Sequence, residues 1–301
     1  AGGDGGFSAR GGGVNDAYRI DKRRVRQAFD RAAPDYDTHA ALQQEVQRRL
    51  LERLDWIRLD PRRVIDLGCG PGGALQPLAR RYRKARVTGL DLAPAMAARA
   101  RTRSFRLRRP WAVCADMEQL PFADRSFDLA VSAAALQWAN DLDEVFAEVR
   151  RVVAPGGLWL FATFGPDTLK ELRAAFAAVE GAAAPHVNAF IDMHDIGDAL
   201  VRAGFADPVM DQEAITVTYA DLGGLLRDLR GVGVRNALSG RTRGLFGPRR
   251  LRAVADAYAS QHGQQGRLPA SWEVVYGHAW VPDAPPPARA PGHFIPIRPE
   301  R

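Results

Sequence analysis

The chain has 301 residues, enough to bury one large core, or one core with a substantial cap. Apolar residues make up 46% of it, yet no run approaches the ~20 apolar residues needed to cross a bilayer, which excludes a helical membrane protein. The net charge of +7 comes almost wholly from arginine, since lysine occurs only at positions 22, 84 and 170; it reads either as the bias of a GC-rich genome or as a basic surface for an acidic partner.

Residues 1–18 are Gly-rich and polar, carry no apolar secretory signal, and read as a flexible leader. The segment 19–61 starts helically around Val25-Arg26-Gln27-Ala28-Phe29, breaks at Pro34 and resumes as a helix through Leu54. Tyr36 and His39 fall on the short polar joint between those helices. They either cap and pack the joint or belong to a lid whose tyrosine touches a bound ligand.

Next comes Val64-Ile65-Asp66-Leu67-Gly68-Cys69-Gly70-Pro71-Gly72, which reads as a buried strand that stops at a glycine turn and opens a helix. Its glycines permit a tight bend and let a ligand lie against bare main chain. The following apolar run, Arg86-Val87-Thr88-Gly89-Leu90, closes on Asp91. Glycine loop, helix, second strand and terminal acid make a βαβ nucleoside site, with the acid placed for ribose hydroxyls. The glycine spacing differs from the dinucleotide pattern, and no Gly-Lys-Ser/Thr ending is present to grip a triphosphate. Asp66 would repel a pyrophosphate but attract a cationic amino-acid ligand. S-adenosylmethionine carries an ammonium, a sulfonium and no phosphate. The loop resembles the first motif of the class I S-adenosylmethionine-dependent methyltransferases.

Further matches follow in the order of that family. Leu92-Ala93-Pro94-Ala95-Met96 starts a helix after Asp91, and Trp111-Ala112-Val113-Cys114-Ala115-Asp116-Met117 reads as a third strand. The resemblance implies that Asp116 reads the adenine amino group and that Met117 packs on the ring. Phe127-Asp128-Leu129-Ala130-Val131-Ser132 forms the fourth strand; a helix then ends within 149–157, before a fifth strand from Leu158 to Thr163. The implied fold is α/β, a Rossmann-like seven-stranded, mostly parallel sheet with helical cap insertions and a cofactor core at 62–164. The cofactor-binding residues it assigns are Asp66, Gly68, Gly70, Gly72, Asp91, Leu92, Asp116, Met117 and Ser132.

Residues 165–280 would complete the sheet and supply the substrate cap. Leu169, Leu172, Phe176 and Val179 make an apolar helical stripe, His186 to Phe190 reads as a loop, and Met193-His194-Asp195-Ile196 opens another helix. The histidines show no metal spacing. Closing strands are expected at 209–219 and 272–280, with a helix around Leu225 to Arg230 and a basic helix from Pro248 to about His262 between them. Arg227 and Arg230 share a helical face. They either pair with Asp228 and solvent or hold a substrate carboxylate through two parallel hydrogen bonds. The Pro-rich 281–301 reads as an exposed tail.

Cys69 and Cys114 give neither a disulfide framework nor a metal motif, and both are expected to be buried in a reducing, cytoplasmic protein. Neither basic cluster, 22–26 or 99–109, is interleaved with aromatics on a sheet pattern, so base stacking and with it nucleic-acid binding find little support.

The insertions as a group resemble those of the BioC-type malonyl-[acyl-carrier protein] O-methyltransferases of biotin synthesis. The matching residues are Ala28-Phe29-Asp30-Arg31-Ala32-Ala33-Pro34-Asp35-Tyr36-Asp37-Thr38-His39-Ala40, Leu136-Gln137-Trp138, Asn188-Ala189-Phe190, Leu229-Arg230-Gly231-Val232-Gly233 and Gln265-Gly266-Arg267-Leu268-Pro269. The family implies methylation of the free carboxylate of a malonyl thioester on acyl carrier protein, or on coenzyme A. Tyr36 would position the methyl group, Arg230 or Arg227 would hold the carboxylate, and basic residues within 243–252 would receive the carrier protein. Two other readings share the motifs. One is a complex I assembly factor of the same fold that modifies or merely binds a protein. The other is a quinone-type methyltransferase, for which His39 is the available general base.

Overall fold

The computed structural model describes residues 19–103, 111–181, 190–234 and 247–283. The leader, His186 to Ala189, Arg235, Asn236, Arg243, the basic residues at 106–109 and the Pro-rich tail from 284 onward lie outside the described residues.

A seven-stranded sheet organises the molecule, in the order β3-β2-β1-β4-β5-β7-β6. The strands are β1 (Arg63–Leu67), β2 (Arg86–Asp91), β3 (Trp111–Cys114), β4 (Phe127–Ala133), β5 (Val153–Phe164), β6 (Ala206–Tyr219) and β7 (Leu268–Trp280). β1 to β5 pair in parallel, and β7 runs antiparallel between β5 and β6. Strand order reverses between β1 and β4, and a crevice at such a point, beyond the strands' carboxyl ends, is where sheets of this type bind ligands.

Alternation along the strands builds a core on each side. On β4, Leu129 and Val131 enter one cluster while Ala130 between them enters the other. The first face is covered by α3 (Ala41–Glu52), α4 (Leu75–Arg81), α7 (Lys170–Glu180), α9 (Leu222–Gly231) and α10 (Pro248–His262). The second is covered by α6 (Leu142–Val152) and α8 (Met193–Arg202). α5 (Pro94–Thr102) follows β2, with Ala97 and Ala100 in the first core.

The N-terminal segment comprises α1 (Lys22–Ala32), the single turn α2 (Tyr36–His39) and α3. The expected polar joint is thus itself a helical turn, because Pro34 ends α1 but leaves Tyr36 onward free to coil. β5 begins at Val153, five residues before the expected start, since Val153 already pairs with Phe127 ahead of an irregularity in the β4–β5 register. β3 stops at Cys114, so Asp116 and Met117 lie in the turn beyond it. Cys69 is buried as expected, but Cys114 is exposed, because β3 is a short edge strand with solvent beside its carboxyl end.

Candidate active site

At the strand-order reversal lies a cavity that opens to solvent. Its floor includes Gly68, Gly70, Asp91, Leu92, Asp116 and Met117; Trp138 closes one side, and Lys22, Val25, Phe29 and Tyr36 of the N-terminal helices close another.

The glycines of the loop do different work. All three of Gly68, Gly70 and Gly72 have positive φ, a conformation that other L-residues adopt only with strain. A Cβ on Gly68 would collide with Cβ of Ala135, and one on Gly72 would press on Ala100 Cα at 3.1 Å, so these two allow close packing. A Cβ on Gly70 would meet nothing within 4 Å, leaving its main chain bare toward the cavity it lines.

Asp91 fixes the loop. Its carboxylate accepts the N–H of Gly70 at 2.8 Å and the N–H of Ala93 at 2.8 Å. Burial outweighs those two donors and pushes its pKa up to about 6. Asp66, only 2% exposed, does not line the cavity; burial first, and the neighbouring Asp91 second, push it up to about 7. Two desolvated acids side by side favour a cationic ligand, which would offset the cost of ionising both.

Ser132 is fully buried and donates to the carbonyl of Leu67 at 2.8 Å. The position assigned to the cofactor from sequence therefore holds the end of β1 against β4 and does not line the cavity. Gly72 likewise packs behind the wall. Asp116 lines the cavity, and its Oδ1 accepts from Lys22 Nζ at 2.9 Å and from the N–H of Glu118 at 3.1 Å. Met117 contributes its side chain to the same end.

The N-terminal helices are pinned on both sides. Asp30 accepts the N–H of Ala95 at 2.9 Å, at the start of α5. Arg99 of α5 donates to the carbonyl of Pro34 at 2.6 Å, and Arg103 pairs with Asp37 at 2.5 Å. Phe29 meets Trp138 edge to face, ring centres 5.4 Å apart. Tyr36 thereby shares the cavity wall with Asp91; burial, then the Asp91 and Asp37 carboxylates, hold its phenol well above the ordinary range. It is a neutral hydroxyl donor at physiological pH.

His39 is 3.0 Å from Asp228 of α9 and does not line the cavity. Arg227 and Arg230, on the same helix, are exposed and are not in the wall either. The structure thus brings Tyr36, Asp91 and Asp116 together but not the two arginines. Sequence reasoning missed Lys22, Phe29 and Trp138 as cavity walls. Lys22, Val25 and Phe29 are spaced three and four apart on one face of α1, a pattern that places the lysine beside the apolar stripe.

The fit to S-adenosylmethionine rests on the bare main chain at Gly70, the buried acid pair and a partly apolar cavity. No cluster of three or more His, Cys, Asp or Glu that could hold a metal ion occurs among the described residues, and among them no helix is long and apolar enough to cross a membrane.

A methyltransferase-domain family model matches residues 65–161. Among solved structures, the chain resembles the YcgJ protein of Bacillus subtilis (TM-score 0.54, 15% identity, covering 78% of this chain and 98% of that one). It also resembles a Haemonchus contortus phosphoethanolamine N-methyltransferase solved with S-adenosylhomocysteine (TM-score 0.55, 18% identity, 86% and 60%). These likenesses show the Rossmann-like class I methyltransferase fold. Much nearer in sequence is the malonyl-[acyl-carrier protein] O-methyltransferase of Laribacter hongkongensis, 53% identical over 281 residues, or 91% of this chain and 94% of that protein. The one from Halorhodospira halophila is 54% identical over 266 residues, 88% and 90% of the two chains. With identity this high across both the cofactor core and the cap, the chain belongs to the malonyl-[acyl-carrier protein] O-methyltransferase family of S-adenosylmethionine-dependent enzymes.

Proposed function

We propose that this protein methylates the free carboxylate of a malonyl thioester carried on acyl carrier protein, forming the methyl ester that opens pimeloyl and biotin synthesis. The observation that carries this reading is the identity of 53% over 281 residues, which extends beyond the cofactor core through the lid and cap. The ester masks a charge, so that the chain can be elongated as an ordinary acyl group.

S-adenosylmethionine supplies an electrophilic methyl group on a sulfonium. The protein's own task is alignment. A carboxylate with an ordinary pKa of ~4 is already ionised at neutral pH, so no general base is required. The walls from α1 and Trp138 keep water away from the reacting atoms, and fixed orientation lowers the entropic part of the barrier. Tyr36, on the cavity wall beside Asp91, donates its hydroxyl to position the acceptor at the methyl group. Asp91 takes the ribose hydroxyls, Asp116 the adenine amino group, and Asp66 balances the ligand's positive charge from behind the wall.

Arg230 or Arg227, exposed on α9 beside the contact between His39 and Asp228, would hold the acceptor carboxylate. Arg249, Arg250 and Arg252 are exposed at the start of α10 and would receive the acidic carrier protein. The quinone-type alternative needs a base at the methyl group, and His39 is engaged with Asp228 instead.

Incubation with methyl-labelled S-adenosylmethionine and malonyl-acyl carrier protein or malonyl-coenzyme A tests the reading. A base-labile labelled ester is expected. Absence of ester despite measurable cofactor binding would contradict it.

A further inference from the structure

A closed polar ring joins the start of α1 to the adenine end of the cavity. Lys22 Nζ lies 2.9 Å from Asp116 Oδ1 and 3.1 Å from Glu118 Oε2. The other Glu118 oxygen, Oε1, accepts the N–H groups of Asn140 and Asp141, the latter at 3.1 Å. Asn140 returns to the lid: its Oδ1 accepts the N–H of Ile20 at 2.8 Å, and its Nδ2 donates to the Ile20 carbonyl at 3.2 Å. Both acids and the lysine are half-buried, and Lys22 and Asp116 also line the cavity.

The ring has a directional consequence for Asp116. Its Oδ1 takes both the ammonium and the Glu118 N–H, while Oδ2 takes no hydrogen bond from the described residues. A carboxylate clamped through one oxygen presents the other in a fixed direction, ready to accept from an exocyclic amino group.

We propose that Lys22 is a positioning residue for adenine recognition: it clamps Asp116 through one oxygen so that the other selects a nucleoside bearing an exocyclic amino group, and it makes that selectivity depend on the docking of α1. This rests on the assignment of Asp116 to adenine. Nothing in Lys22 touches the transferring methyl group, so its effect falls on cofactor recognition and not on turnover.

The test compares binding of S-adenosylhomocysteine with that of S-inosylhomocysteine, which lacks the amino group, to the full chain and to Lys22→Met, Lys22→Arg and Asp116→Asn. A partly exposed ion pair predicts that Lys22→Met weakens S-adenosylhomocysteine binding roughly fivefold. Binding of the inosyl analogue should change far less, so discrimination shrinks. At saturating S-adenosylmethionine, kcat should hold while KM for it rises. Lys22→Arg should restore part of the discrimination. Equal weakening toward both nucleosides, or unchanged binding with only a lower Tm, would overturn the proposal and leave Lys22 as a structural contact. If Asp116→Asn keeps full discrimination, the adenine assignment itself fails, and the Lys22 role with it. If Asp116→Asn loses discrimination while Lys22→Met keeps it, only the Lys22 role fails.

Discussion

His39 of the lid and Asp228 of α9 lie 3.0 Å apart, Nδ1 to Oδ1, joining the turn that carries Tyr36 to the helix that carries Arg227 and Arg230. The same ring packs so tightly on Gly231 that a Cβ there would collide with its inner atoms. α2 is therefore a coupling between cofactor cavity and cap: Asp37 is held by Arg99 and Arg103 on one side, and His39 by α9 on the other.

Gly231→Ala should push the lid from α9 while leaving the cofactor loop untouched. KM for the malonyl acceptor is expected to rise about tenfold, with S-adenosylhomocysteine affinity changed much less. Asp228→Asn keeps the shape and weakens a partly exposed pair, so its stability cost should be below about 1 kcal/mol. Steady-state kinetics in both substrates, beside thermal melts, separate the two effects.

Tyr36→Phe removes a hydroxyl that burial and two carboxylates keep protonated. Loss of one positioning hydrogen bond should lower kcat about tenfold or more, with little change in cofactor binding. Because the phenol is not a base, the pH profile of the residual activity should match that of the unmodified protein. A shifted alkaline limb would assign proton transfer to Tyr36.

Gly68→Ala and Gly70→Ala should behave differently, although both residues have positive φ. The first adds a collision with Ala135 to the backbone strain and should cost about 2 kcal/mol or more of folding stability. The second carries strain of about 1–2 kcal/mol but has open space around it, so it should fold and lose cofactor affinity. Melting temperatures and calorimetric titration with S-adenosylhomocysteine distinguish them.

Asp66 and Asp91 bind their protons more tightly in the folded protein, up to about 7 and about 6, than in the unfolded chain. Their contribution to stability is thus fullest in acid, below the ordinary carboxyl range, and is lost as pH rises through 6 and then 7. A bound cation offsets that loss. S-adenosylmethionine should therefore bind more tightly at pH ~8 than at ~5.5, and the neutral thioether S-adenosylhomocysteine should show a smaller rise. Asp66→Asn should raise the melting temperature of the ligand-free protein at alkaline pH and flatten the affinity profile. A steeper profile in that variant would contradict the role given to the acid pair.

The parallel half of the sheet was legible because its strands carry continuous apolar runs ending in glycine or acid, as at Asp66 to Gly72 and at Asp91. α10 was legible too, as a basic helix opening at Pro248 and running to His262. Less legible were features set by tertiary neighbours. Ser132 looks like a polar strand-end residue facing a ligand, but β1 lies close enough for its hydroxyl to take the Leu67 carbonyl. Glu171 sits within an apolar stripe and is buried because Ser271 of β7 supplies both an N–H and a hydroxyl. Lys22 read as one member of a basic cluster, since only the fold brings Asp116 and Glu118, roughly a hundred positions away, to its ammonium. Arg227 and Arg230 share a face as spacing required, but the direction of that face depended on how α9 docks.

The most direct test of carboxyl methylation is mass spectrometry of the phosphopantetheine arm released from malonyl-acyl carrier protein after incubation with S-adenosylmethionine and this protein, with acetyl-acyl carrier protein as the control lacking a free carboxylate. One methyl group on the malonyl arm, removable by mild base and missing from the acetyl arm, is the predicted result. An unmodified malonyl arm under conditions where S-adenosylmethionine binds, or a methyl group found on a protein side chain instead, would contradict it.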